Sequence, residues 1–363
     1  MPEKRPGDSY LNLEINIGAI NLETKAIFAK HLAIMQKAGM SLTESLEIIS
    51  DSSSGKLKKI LAGVLKSVQS GNTLSSSFAR YPRVFNTVFV SSIFAGESSG
   101  TLDKSLENLA LQLEKERELY LKIKGAMLYP IVVLSAAFIL GSVLSFIVLP
   151  KIIPLFEGLR VNLPFTTRVL ISFSHFMEKN GTVVFISLAA FIIFMFWLLR
   201  QKFVHPITHW LLLKLPVVKS IVINSNLARF SRTLGMLLKS GLSIDKALEV
   251  TRDTMTNYYY YRSLIDVSAR VSKGIKLSDN LSQHQKLYPK MVSKMVYVGE
   301  EAGRLDETLL YLADFYDLEV DTATKGLSTA IEPILLIFIG LVVGFLALSI
   351  ITPIYSITGN IRR

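Results

Sequence analysis

The residues that could do chemistry in this chain are few, and most are badly placed for it. A phosphate loop needs a glycine five residues ahead of a Gly-Lys pair and a hydroxyl residue after it. The Gly55-Lys56 pair has neither. No Gly-x-Ser-x-Gly nucleophile elbow is expected. His205 and His209 are four apart, which would put two imidazoles on one helix face. Pro206 makes His205 a helix-start residue, however, and no thiolate or carboxylate lies close by in sequence. Packing at a membrane surface explains the pair better than a metal does. There is no cysteine, so disulfides, thiolate metal sites and thiol catalysis are excluded. No catalytic residue, cofactor or metal is expected, and the chain reads as a scaffold rather than an enzyme.

The most distinctive polar feature is a Gly-Glu-x-x-Gly run that occurs twice, at Gly96–Gly100 and Gly299–Gly303, with Asp103 and Asp306 just beyond. Two readings stand side by side. A helix ends at the second glycine and the glutamate caps or pairs locally; or the turn is shaped to dock a partner, with Glu97, Asp103, Glu300 and Asp306 as contacts. The aspartates are accounted for by the positive end of the next helix alone. The tyrosines at 258–261 open a helix and suit either an interface or ordinary packing.

The elements that must carry these residues are helices, three of them apolar. Half of the 363 residues are hydrophobic, 19% are charged and the net charge is +11. No Lys/Arg block is dense enough for a nucleic-acid arm, and basic residues beside apolar runs suit anionic lipid headgroups. Residues 131–149, 182–199 and 334–352 contain no Asp, Glu, Lys, Arg or His. As a helix, 131–149 would be ~28 Å long, about one hydrocarbon core. Uncharged spans argue against an ion or proton pump, though not against an apolar pore. Ala137 and Gly141, and Gly340 and Gly344, are spaced for close helix packing in the membrane, within or between chains. A modest Lys/Arg excess puts the large domains in the cytoplasm. The order expected is a short segment 1–25, a helical domain 26–130, span 131–149, an external loop 150–181, span 182–199, a second helical domain 200–333, span 334–352 and an external tail 353–363. Residues 1–21 read as a disordered tail or one short strand, and no signal peptide is expected.

The two domains are copies. Phe28–Ser50 and Phe230–Arg252 agree at seven of 23 positions at an offset of 202. The segments opening at Gly96 and Gly299 agree at nine of 21 at an offset of 203, which also pairs Pro130 with Pro333. Each repeat is a domain followed by a span, and the middle span returns the chain, so the repeats are parallel. Within each, Gly39 or Gly241 stops a helix, Ser41 or Ser243 caps the next, and a third ends near Gly71 or Gly274. Leu102, Leu106, Leu109 and Leu113 form a stripe that matches Leu305, Leu309, Leu312 and Tyr316. These last helices run toward or into the spans, where Pro130 and Pro333 would kink them. The fold class is therefore an all-α membrane protein with two homologous helical bundles and three transmembrane helices.

At this point the chain resembles a known family. Lys122-Ile-Lys-Gly-Ala-Met-Leu-Tyr129-Pro130, an apolar run ending Val148-Leu149-Pro150, and the two Gly-Glu-x-x-Gly-x-Leu-Asp segments are similar to the signature of the type II secretion F family. The likeness covers about residues 25–357; the segment before the first repeat is shorter than in many members. The resemblance implies an inner-membrane platform of a type IV pilus, type II secretion or competence system. It implies as partners a hexameric assembly ATPase, pilin or pseudopilin subunits, other inner-membrane assembly proteins and further copies of the chain, with no nucleic acid. The competing readings are a transporter or channel built on a parallel repeat, and a membrane-bound enzyme.

Overall fold

In the computed structural model, residues 20–143, 165–199, 201 and 203–360 are described. The tail or strand expected before residue 20, the end of the first span at 144–149, the first part of the external loop at 150–164, and residues 361–363 lie outside them. Every regular element among the described residues is an α-helix. The chain divides into two units, Met1–Lys122 with Lys202–Ala323, and Ile123–Gln201 with Thr324–Arg363.

The first unit holds both repeats. Its first half consists of α1 (Leu22–Lys37), α2 (Leu42–Ser52), α3 (Gly55–Gln69), α4 (Leu74–Ala79), α5 (Thr87–Ser99) and the start of α6 (Leu102–Val143). Helices α7 (Phe165–Leu199) and α8 (His205–Lys214) follow α6 in sequence. The second half then repeats the order: α9 (Pro216–Lys239), α10 (Ile244–Thr254), α11 (Tyr258–Val271), α12 (Leu277–Ser282), α13 (Lys290–Glu301) and the start of α14 (Leu305–Asn360).

Local chemistry sets the ends. The side chains of Asn21, Ser41, Thr73, Asn86 and Asn257 each accept a backbone N–H from the first turn that follows, filling donors that a helix start leaves open. Ser243 sits at the matching cap but makes no such side-chain bond. At Gly39, φ is +80°, and Met40 N–H donates to Met35 O while Gly39 N–H donates to Gln36 O. Gly241 repeats the same two bonds, so both expected stops are left-handed glycine caps.

Each half has its own core. Phe28, Phe78, Phe85 and Phe89 cluster in the first, with Phe78 and Phe85 centroids 4.5 Å apart. Buried tyrosines take part in the second. Tyr260 donates to Leu287 O at 2.6 Å, and the Tyr288 and Ser263 hydroxyls pair at 3.1 Å, so neither phenol is left without a partner. Burial pushes the pKa of Tyr260 well up from the usual phenol value. The two leucine stripes are buried at Leu106, Leu109 and Leu113, and at Leu309, Leu312 and Tyr316.

The second unit carries the three uncharged runs, all helical where described. Helices α6 and α14 continue without a break through Pro130 and Pro333. By itself, Leu102–Val143 is long and apolar enough to cross a membrane, and Leu335–Ser349 is a shorter apolar stretch. Two boundaries differ from the expected ones. Residues 165–181, within the external loop expected over 150–181, are helical and belong to α7. Its Val169, Leu170, Phe173, Phe176 and Met177 already recur at three and four. The tail expected from Pro353 is helical as far as Asn360.

Candidate functional site

The Gly-Glu-x-x-Gly runs resolve residue by residue into a joint that appears once in each half. The run is the end of α5 or α13. Gly100 and Gly303 have φ of +70° and +65° and close the helix. Thr101 N–H donates to Gly96 O at 2.9 Å, and Arg304 N–H to Gly299 O at 2.9 Å. The first glycine serves a different need. A Cβ on Gly96 would lie 2.6 Å from Ser105 Cβ and 3.0 Å from Leu102 Cα. One on Gly299 would lie 2.8 Å from Thr308 Oγ1 and 3.1 Å from Leu305 Cα. Only glycine lets the next helix start that close.

The glutamate between them reaches across to a third helix. Glu97 accepts the backbone N–H of Leu74 and Ser75, and the Ser75 hydroxyl, at the start of α4. Glu300 accepts from Leu277 N–H at 2.6 Å and Ser278 N–H at 3.0 Å at the start of α12. A carboxylate at a helix N-terminus meets both open donors and the positive end of the helix dipole. The cap expected of these residues is thus tertiary rather than local. Asp103 and Asp306 stand half-exposed in the first turns of α6 and α14. One expectation needs correcting, because Gly96-Glu-Ser-Ser-Gly100 does spell Gly-x-Ser-x-Gly. It lies where one helix turns into another, whereas an elbow serine needs a strand-to-helix turn.

A polar seam joins the halves, and none of its residues is among the expected site residues. Gln112 Nε2 donates to Thr233 Oγ1 at 3.3 Å, and Arg229 pairs with Glu116 at 3.8 Å. Arg232, deeply buried, bridges Asp314 at 3.0 Å and Asp317 at 2.8 Å. A cavity of about 290 Å³ opens along the seam, with Asn86, Gln112, Glu116, Arg229 and Thr254 in its wall. Arg229 and Arg232, three apart and so on one face of α9, were the available signal.

The histidine pair is absorbed by the fold. His209 Nδ1 accepts the Tyr258 backbone N–H at 3.0 Å, which ties α8 to the start of α11. Burial, and then His205 nearby, lower the His209 pKa. Among the described residues, no group of three or more His, Cys, Asp or Glu converges. Ala137 and Gly141, and Gly340 and Gly344, which are expected to pack helices closely in the membrane, lie on α6 and α14. A Cβ built on any of these three glycines meets nothing within 4 Å among the described residues.

The family model for Type II secretion system (T2SS), protein F matches residues 28–150 and 230–353, one segment for each half of the duplication. The chain is 35% identical to the type IV pilus assembly protein PilC of Thermus thermophilus, over 99% of this chain and 89% of that protein. It is 32% identical to the type IV pilus assembly protein PilC of Pseudomonas aeruginosa, over 93% and 90%. It is also 31% identical to the type II secretion system protein F of Aeromonas hydrophila, over 93% and 87%.

Proposed function

The chain belongs to the type II secretion system protein F family, and from that footing we propose that it is the inner-membrane platform of a type IV pilus or type II secretion machine. It carries the motion of a hexameric cytoplasmic ATPase to pilin or pseudopilin subunits entering a fibre. One observation supports this above the rest: the family match falls on both halves of the duplication, each a helical bundle followed by an apolar run. A chain with no phosphate loop in its sequence draws its energy from a partner.

The topology belongs to the same proposal. Residues 1–130 and 200–330 face the cytoplasm, residues 150–181 and the C-terminus face outward, and 131–149, 182–199 and 334–352 cross the membrane. The chain has no cysteine, so single ones can be placed at will. An impermeant maleimide should label Asn162→Cys in intact cells and leave Ser53→Cys unlabelled. The reverse pattern would overturn the topology.

The ATPase contact is proposed around Glu97, Asp103, Glu300 and Asp306. The two glutamates act as positioning residues, because their oxygens are engaged on α4 and α12. The purified chain should hydrolyse no ATP and should retain the ATPase of its own assembly system. Asp103→Ala with Asp306→Ala should cut ATPase retention at least tenfold at normal protein level. Glu97→Ala with Glu300→Ala should first lower protein level, since losing a helix cap costs about 0.5–2 kcal/mol. Full retention by a stable aspartate double variant would remove this surface from the contact. Hydrolysis by the chain alone would overturn the platform reading.

A further inference from the structure

The two halves share one fold, yet they touch through different faces. Helix α5 of the first half packs on α9 and α10 of the second. Val88 of α5 joins the second half's core, and the Phe94 ring lies 5.9 Å from Lys246 Nζ. The first half therefore uses its docking helix, and the second half uses its receiving pair. Each half has a face left over.

Those leftover faces are apolar and open. On the docking side, Val88 and Ala95 are 3% and 5% exposed, whereas their equivalents on α13, Met291 and Val298, are 42% and 57% exposed. On the receiving side, Met236 and Val250 are buried, whereas their equivalents Ile34 on α1 and Ile48 on α2 are 57% and 42% exposed. Ile27, which stands where the seam has Arg229, is exposed as well. Solvent gives no reason for an isoleucine at any of these three places. The polar residues also suit each other: Lys294 lies between Met291 and Val298 along α13, and exposed Glu44 and Glu47 flank Ile48.

We propose that a second copy of this chain occupies these faces. Helix α13 of one copy seats on α1 and α2 of the next, repeating between molecules the joint already made between the halves. The interface is head-to-tail, so successive copies form a ring if the rotation closes and an open helix if it does not. The inference rests on the duplicated fold and not on the platform role.

The joint supplies its own probe. Tyr297 is the equivalent of Phe94, and Glu44 is the equivalent of Lys246. Two differently tagged full-length copies, one Glu44→Cys and one Tyr297→Cys, are expressed together and treated in membranes with a short bismaleimide. A cross-linked product carrying both tags is expected, and neither variant alone should give one. Phe94→Cys with Lys246→Cys in a single chain is the control, and should lose both free thiols. Adding Ile34→Glu and Ile48→Glu to the Glu44→Cys copy should reduce the product at least tenfold. Both positions are exposed within one chain, so its melting should not change. A product from either cysteine variant alone, no product while the control closes, or a product indifferent to the two glutamates would each overturn the proposal.

Discussion

Arg232→Leu is expected to destabilise the second half by about 3 kcal/mol, near the low end for breaking a buried ion pair. The guanidinium side chain is 7% exposed and Asp317 is 16% exposed, while Asp314 reaches solvent. Removing the arginine strands mainly Asp317, whose Oδ1 is already buried without a hydrogen-bond partner. Adding Asp317→Leu should recover most of the loss, since the charge to be desolvated is then gone. Hydrogen exchange at the amides of α9 and α14, in full-length protein in detergent, checks this. Unchanged exchange in the single variant would show that the pair holds nothing together.

The second large effect is expected at the paired glycines. Gly96→Ala and Gly299→Ala should each cost about 1–3 kcal/mol, the range for forcing extra atoms into a packed site. Alanine is the better helix former by roughly 0.5–1 kcal/mol, so the clash must exceed that gain. It does at Gly96, where the obstacles are Ser105 Cβ and the Leu102 backbone, neither of which can swing away. The two sites lie in separate cores, so their costs should add. Gly125→Ala is the control, because a Cβ there meets nothing within 4 Å. It should leave melting unchanged or raise it slightly. Equal melting for Gly96→Ala and Gly125→Ala would mean that the close approach is not needed.

These two experiments probe different parts of the duplication. The glycine joint occurs in both halves with the same left-handed close and the same glutamate reaching to a helix start. The Arg232 cluster occurs in one half only; Lys30, its equivalent in α1, is exposed. Duplicated sequence kept the element that folds each bundle and diverged where one bundle meets the other.

The sequence by itself determined the local events. Serine, threonine and asparagine caps, glycine stops and leucine stripes act within a few residues, so their spacing is legible on the page. The offset of the repeats requires one helix order in both halves. The uncharged runs were legible for the same reason, since helix formation over an apolar stretch needs no distant partner. Tertiary structure decided the rest. Glu97 finds its acceptor role on residues 22 and 23 positions away, and Gln112 meets Thr233 across 121. Which of two equivalent faces is covered, α5 rather than α13, is written in no local pattern. It follows from how one bundle turns against the other, and that rotation is fixed by contacts such as Val88 in a core that is not its own.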